Sequence, residues 1–277
     1  MSKEIVPTKK EIIKSKEKEM SFLDHLEELR WHIIRSIAAV FVLGIAFFLL
    51  RDLVFQIILA PSKAEFPTYR LLCNISEITC MKPTDFKLLP RDMGEQFFTH
   101  IKISIWLGFI LAFPYVFWEF WRFIKPGLYK NEQKAARGIV GACSFLFMCG
   151  ILFGYYVISP FAITFLTGYQ VSPDIVSSPT LASYINYMTM LTIPTGIIFE
   201  LPIVVYFLAK IGLISSDFMK KYRKHAFVIV FILAAIITPP DVLTQILIGI
   251  PIYILYELSI HLAKRIEKQK AREELES

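Results

Sequence analysis

GIVGACSFLFMCGILFGYYVISPFAITFLTGYQVSP, residues 138–173, contains no Asp, Glu, Lys or Arg, and neither does IVSSPTLASYINYMTMLTIPTGIIF at 175–199. A helix on the surface of a soluble domain keeps a charged face, whereas crossing a hydrocarbon core of about 30 Å takes about 20 apolar residues at about 1.5 Å each. Both stretches therefore read as transmembrane helices. Further apolar runs flank them, giving candidate spans at 33–50, 97–120, 138–160, 181–209, 226–238 and 242–260 of the 277 residues. The fifth is short: its charge-free core, Ala226 to Ile237, makes about 18 Å of helix, so the last two runs are expected to form a short hairpin through a thinned region. The composition agrees, with 55% apolar and 19% charged residues and a mean hydropathy of +0.53, which excludes a disordered or collagen-like chain and disfavours a soluble enzyme. The fold expected is an all-α polytopic membrane domain over 20–260.

The net charge of +6 does not point to nucleic acid, because the basic residues are clustered between apolar runs. Seven lie in 1–32, five in 121–137, five in 210–225 and five in 261–277, against none in 161–180 or 239–241. Basic residues concentrate on the cytoplasmic side, so both termini are expected there. Connection 51–96 carries six basic residues and six acids, with Pro61, Pro67, Pro83 and Pro90, and is expected to be a small outer cap of turns and short helices. Cys73 and Cys80 lie in that cap and are expected to form a disulfide in an oxidising compartment, free thiols being the alternative; Cys143 and Cys149 lie in an apolar run. Segment 1–19, rich in Lys and Glu without an apolar core, is expected to be a disordered cytoplasmic tail rather than a cleavable signal, with 261–277 a second tail. No internal repeat or low-complexity tract is present. The five histidines are scattered without metal spacing and are expected to be interfacial or solvated; Asn74-Ile75-Ser76 fits a glycosylation sequon.

Before the first span, Phe22, Leu26, Leu29 and Ile33 recur at helical spacing, opposite Asp24, Glu27 and Glu28, with Ser21 as a plausible cap. Such a helix can lie on the membrane surface as an anchor, yet anchors favour Lys and Arg on their polar face and this one offers acids.

FLDHLEELRWHIIRS at 22–36 resembles the N-terminal signature of the TatC family, the multi-spanning subunit of the twin-arginine protein translocase. FPYVFWEFWRFIKPGLYKNE at 113–132, FELP at 199–202, TPPDVLTQ at 238–245 and IPIYILYE at 250–257 follow in that family's order, so the resemblance covers about 22–260. The departures are the longer outer connection with its cysteine pair and the lysine-rich tail. The resemblance implies six helices in a concave, glove-like bundle, a multi-pass place in the bacterial inner membrane, and export of folded proteins driven by the proton gradient. It implies no cofactor, and no Gly-rich phosphate loop appears. Partners implied are the single-span subunits TatA and TatB, twin-arginine signal peptides of cargo, and further copies of the chain. Carboxylates matching Glu28 and Glu132 receive the two signal arginines in that family. A guanidinium pairs bidentately with a carboxylate in a way lysine cannot reproduce. Phe123 matches a position that packs the signal's apolar part, Arg30 belongs to the same site, and Asp241 and Pro61 belong to motifs of the outer side.

Glu200 lies inside the fourth apolar run, where an ionisable group normally faces a cavity or a protein partner. Thr189, Thr192 and Gly196 share its helical face, so a polar stripe crosses a helix that Pro194 and Pro202 are expected to kink, and Gln245 is expected to meet Glu200 across the bundle as a polar docking patch for a partner helix. Two rival functions share some of these features. A proton-coupled solute transporter also holds a mid-membrane carboxylate, but with internal repeats. An intramembrane protease needs a Ser/His, paired-Asp or zinc constellation that these spans lack.

Overall fold

The computed structural model describes residues 22–83, 86–124, 136–172, 178–238 and 241–276. Ser21 and Glu132 lie outside them. Among the described residues the architecture is helical, with a single β-bridge between Leu89 and Thr180.

The first helix, α1 (Phe22–Leu49), carries both the amphipathic segment and the first apolar run as one rod of 28 residues. The separate surface helix expected before the span is thus only its first turns, because no Gly or Pro interrupts the sequence before Gly44. A cap follows, formed by α2 (Arg51–Leu59), a 3₁₀ turn (Ala60–Ser62) and α3 (Pro67–Ile75). Tyr69 fastens it to the bundle: its buried hydroxyl donates to the carbonyls of Pro61 at 3.0 Å and Pro160 at 3.2 Å, and burial pushes its pKa up. The Tyr184 hydroxyl donates to Ile58 at 2.9 Å. Cys73 and Cys80 are joined by a disulfide in the cap.

Helix α4 (Glu95–Ile124) returns antiparallel to α1, since Phe48 near the end of α1 stacks on His100 near the start of α4 while His32 meets Glu119 near its end. The two backbones touch where Gly108 faces Gly44: a Cβ on Gly108 would lie 2.6 Å from the Gly44 nitrogen and 2.8 Å from the Val40 carbonyl oxygen. Glu95 anchors the start of α4 by accepting from the Ala182 nitrogen at 2.7 Å and the Arg91 nitrogen at 2.5 Å.

The third apolar run forms α5 (Ala136–Phe153), a π-helical turn (Gly154–Ile158) and α6 (Ser159–Gly168). The fourth, expected as one helix, is broken into α7 (Leu181–Ile198) and α8 (Leu201–Lys210). Pro202 has no N–H for the Ile198 carbonyl and its ring crowds that turn, so the ladder stops and Glu200 sits at the break.

After α9 (Ser216–Lys221) come α10 (Arg223–Ile237) and α11 (Val242–Glu276). At 15 residues α10 is short. In contrast, α11 runs for 35 residues and is not the short helix its apolar run suggested. Beyond that run, Ala263 and Ile266 are buried with Ile260 against Val205, Ala209 and Met219, and Glu267 accepts from the Ser216 nitrogen at 2.7 Å and hydroxyl at 2.6 Å. Helix therefore continues through what reads by charge alone as a tail. Among the described residues, five stretches are long and apolar enough to cross a membrane: Leu26–Leu49, Glu95–Ile124, Gly138–Gly168, Leu181–Lys210 and Val242–Arg272. The chain is a multi-pass membrane protein.

Candidate functional site

The antiparallel pairing of α1 and α4 sets two ladders of side chains face to face. Glu28 and His32 are one turn apart on α1, and Tyr115, Glu119 and Phe123 are successive turns on α4. Between them, His32 Nδ1 donates to Glu119 Oε2 at 2.5 Å, and the Tyr115 hydroxyl donates to Oε1 at 2.9 Å. The Glu119 carboxylate is 1% exposed. One turn nearer the loop, the half-buried Phe123 ring meets the His32 ring edge-on, centroids 6.1 Å apart. Glu28 and Arg30 are exposed above this pair, and Arg30 lies 5.9 Å from the Trp31 ring. The α4–α5 connection starting just after Ile124 holds Glu132, outside the described residues. The structure therefore gathers Glu28, Arg30 and Phe123 at one end of the bundle, over a buried acid that the sequence reading passed over.

A second feature is a cavity of about 330 Å³ beside α4, α5 and α8. Phe117, Phe120, Trp121, Cys143 and Phe207 line it with Glu200. Both Glu200 oxygens and Trp121 Nε1 are buried without a well-aligned hydrogen-bond partner, and the Cys143 thiol and the Phe147 backbone are the polar groups nearest the Glu200 carboxylate. Gln245 is not part of this site. Its amide donates to the Phe231 carbonyl at 3.1 Å, tying the two arms of the α10–α11 hairpin together. On α7, Thr192 lies against Gly154 and Gly196 against Ile151 and Phe147, both toward α5 and the π-helical turn that follows it, while the hydroxyls of Thr189 and Thr192 donate to the carbonyls of Ile185 and Met188 within the helix. Glu200 continues that face past the break, beside Cys143 and Phe147 of α5.

At the cap end, Pro61 is buried and its carbonyl holds Tyr69. Asp241, 5% exposed, is the N-cap of α11, its Oδ1 accepting from the Thr244 nitrogen at 2.6 Å. Two histidines depart from the solvated reading: His32 is paired with Glu119, and His100 is 7% exposed beneath Phe48. His225 and His261 are exposed, and His25 lies where no side chain is described. No cluster suited to a metal ion occurs among the described residues.

The family profile described as Sec-independent protein translocase protein (TatC) matches residues 24–251. The chain belongs to the TatC family. A relative of that description from Blattabacterium sp. subsp. Periplaneta americana is 40% identical over 93% of this chain and 100% of its own length. Another, from Aquifex aeolicus, is 38% identical over 91% and 98%. The solved structure titled Crystal Structure of Twin Arginine Translocase Receptor- TatC is 36% identical and superposes with a TM-score of 0.69 over 88% of this chain and 99% of that one. This TatC-family chain is accordingly a protein translocase component with a helical membrane fold.

Proposed function

We propose that this chain is the receptor and core subunit of a twin-arginine translocase in a bacterial inner membrane, with six crossings and both termini in the cytoplasm. Its partners are TatA- and TatB-like single-span subunits and further copies of itself, and the proton gradient drives export of folded cargo. The observation that carries this reading is the exposed Glu28 carboxylate standing with Phe123 at the end of the bundle where the Glu132 connection begins. Two carboxylates, each able to take one guanidinium bidentately, answer a pair of adjacent arginines, and the Phe123 ring answers the apolar segment that follows them. Arg30 borders the site. An unpaired carboxylate in water loses little on binding, so the selectivity arises from fork geometry rather than net charge.

The test is crosslinking of a twin-arginine signal peptide to the intact complex in membranes. Glu28→Gln with Glu132→Gln should abolish it, and replacing the peptide's two arginines with lysines should do the same to the unaltered protein. Membrane insertion should persist in the double variant. Undiminished crosslinking of either combination refutes the assignment.

A further inference from the structure

Glu119 is a carboxylate buried near the end of a transmembrane helix, saturated on both oxygens by His32 from α1 and Tyr115 from its own helix. Burying such a pair is not an economical way to hold two helices together, because well-packed apolar residues of similar volume usually do as well or better. The crossing already has an apolar and close-packed contact at Gly44 and Gly108. What the polar cluster adds is direction. A hydrogen bond to a buried carboxylate fixes which side of α1 faces α4, and apolar packing fixes that only loosely. Glu28 is one turn from His32 on the same face of α1, Phe123 is one turn from Glu119 on α4, and the His32 ring is in edge contact with Phe123. A rotation of α1 that broke the His32 bond would carry Glu28 sideways and remove the ring that Phe123 leans on.

We infer that His32 and Glu119 form a buried latch that positions Glu28 and Phe123 for the signal peptide, with Glu119 acting through His32. The inference rests on the signal-peptide reading above and adds to it the floor of the site. Glu119 touches no ligand in this role; it is a positioning residue. Outer partners of metal ligands matter by about 10- to 100-fold when removed although they touch no metal, and the same logic of holding a binding side chain in place applies here.

The experiment uses the full chain in detergent and a fluorescent twin-arginine signal peptide, reading the dissociation constant and the thermal midpoint together. Glu119→Leu should weaken peptide binding by about ten-fold or more, since it orphans His32 and frees α1 to turn. Glu119→Gln, whose carbonyl oxygen still accepts one of the two bonds, should bind within a few-fold of the unaltered protein. The deciding variant is His32→Leu combined with Glu119→Leu, which leaves no buried polar group unmet and should regain the thermal midpoint while binding stays weak. Recovery of both midpoint and affinity in that variant would show a purely structural pair and overturn the latch, as would wild-type affinity in Glu119→Leu. Glu28→Gln in the same assay separates the two claims. If it binds normally, the site assignment itself is wrong; if it fails while Glu119→Leu binds normally, only the latch is wrong.

Discussion

Gly108→Ala is the smallest change that should disturb the receptor end of the molecule from a distance. The added Cβ would stand 2.6 Å from the Gly44 nitrogen, 2.8 Å from the Val40 carbonyl oxygen and 2.9 Å from the Gly44 Cα. All three are backbone atoms, so no side chain can swing aside. Restoring an ordinary contact of about 3.4 Å moves α1 off α4 by about 0.8 Å, against a close-packed crossing whose overpacking typically costs about 1–3 kcal/mol. Replacing a helical Gly by Ala returns up to about 1 kcal/mol through backbone entropy, leaving, from the upper part of that range, a net loss of up to about 2 kcal/mol. Gly138 supplies the control: a Cβ there meets nothing within 4 Å, so Gly138→Ala should keep only the entropic gain. Both variants should be compared by reversible unfolding in a mild detergent titrated with a denaturing one. Gly108→Ala should unfold earlier than the unaltered chain, and Gly138→Ala no earlier. Equal stability of Gly108→Ala and the parent would refute the claim that the two backbones are in contact at this crossing.

Three further outcomes are expected. Asp241→Ala should lose about 1 kcal/mol of stability by removing the cap on α11, and Asp241→Asn, which still offers an oxygen to the Thr244 nitrogen, should lose much less; equal losses in the same unfolding assay would contradict the capping role. Alkylation followed by intact-mass measurement should leave Cys73 and Cys80 unmodified until a reductant is added, whereas labelling of both without reductant contradicts the disulfide. Glu200→Ala should weaken co-purification of the single-span subunits and lower transport, with signal-peptide crosslinking intact, because its carboxylate lines an apolar cavity to which α1, the helix of Glu28, contributes no residue; loss of crosslinking with partners retained would reverse the two roles.

The membrane spans could be read from sequence because their signal is redundant: dozens of consecutive uncharged residues cannot be accommodated otherwise. Where the chain breaks within a span was less legible. Pro202 marks the break, but Glu200 precedes it and keeps the side of Gly196, facing α5. Periodicity gives that face but not the partner across the bundle: Gln245 bonds to the Phe231 carbonyl, whereas Glu200 lines the cavity beside Cys143. Glu119 was missed for a different reason. It lies in FPYVFWEFWRFIKPGLYKNE, where the resemblance drew attention to Phe123 and Glu132. Yet the rule that singled out Glu200, that an acid among apolar residues needs a partner, applies to it equally. Tyr115 and Phe123, four residues to either side, give the face it occupies, but nothing in the sequence names His32, 87 residues away, as the donor.

The two buried carboxylates illustrate how the same residue type in one bundle can take opposite parts. Glu119 has both oxygens filled by groups of its own chain, so any ligand competing for it would first have to displace a charge-assisted bond, and its value lies in holding α1 still. Glu200 has no well-aligned partner beyond the neighbouring Cys143 thiol and Phe147 backbone, and it shares with the unmet Trp121 indole N–H a cavity large enough for a side chain from outside. An unmet buried acceptor is costly to maintain, and that cost is recovered only when something enters and bonds to it. On the proposed function, the saturated site serves the geometry of the signal-peptide face, and the unsaturated one is the place for a partner's side chain. This also predicts their different sensitivity: isosteric Gln should be tolerated at Glu119, where one accepted bond can persist, and should alter partner binding at Glu200, where the incoming group sets the requirement.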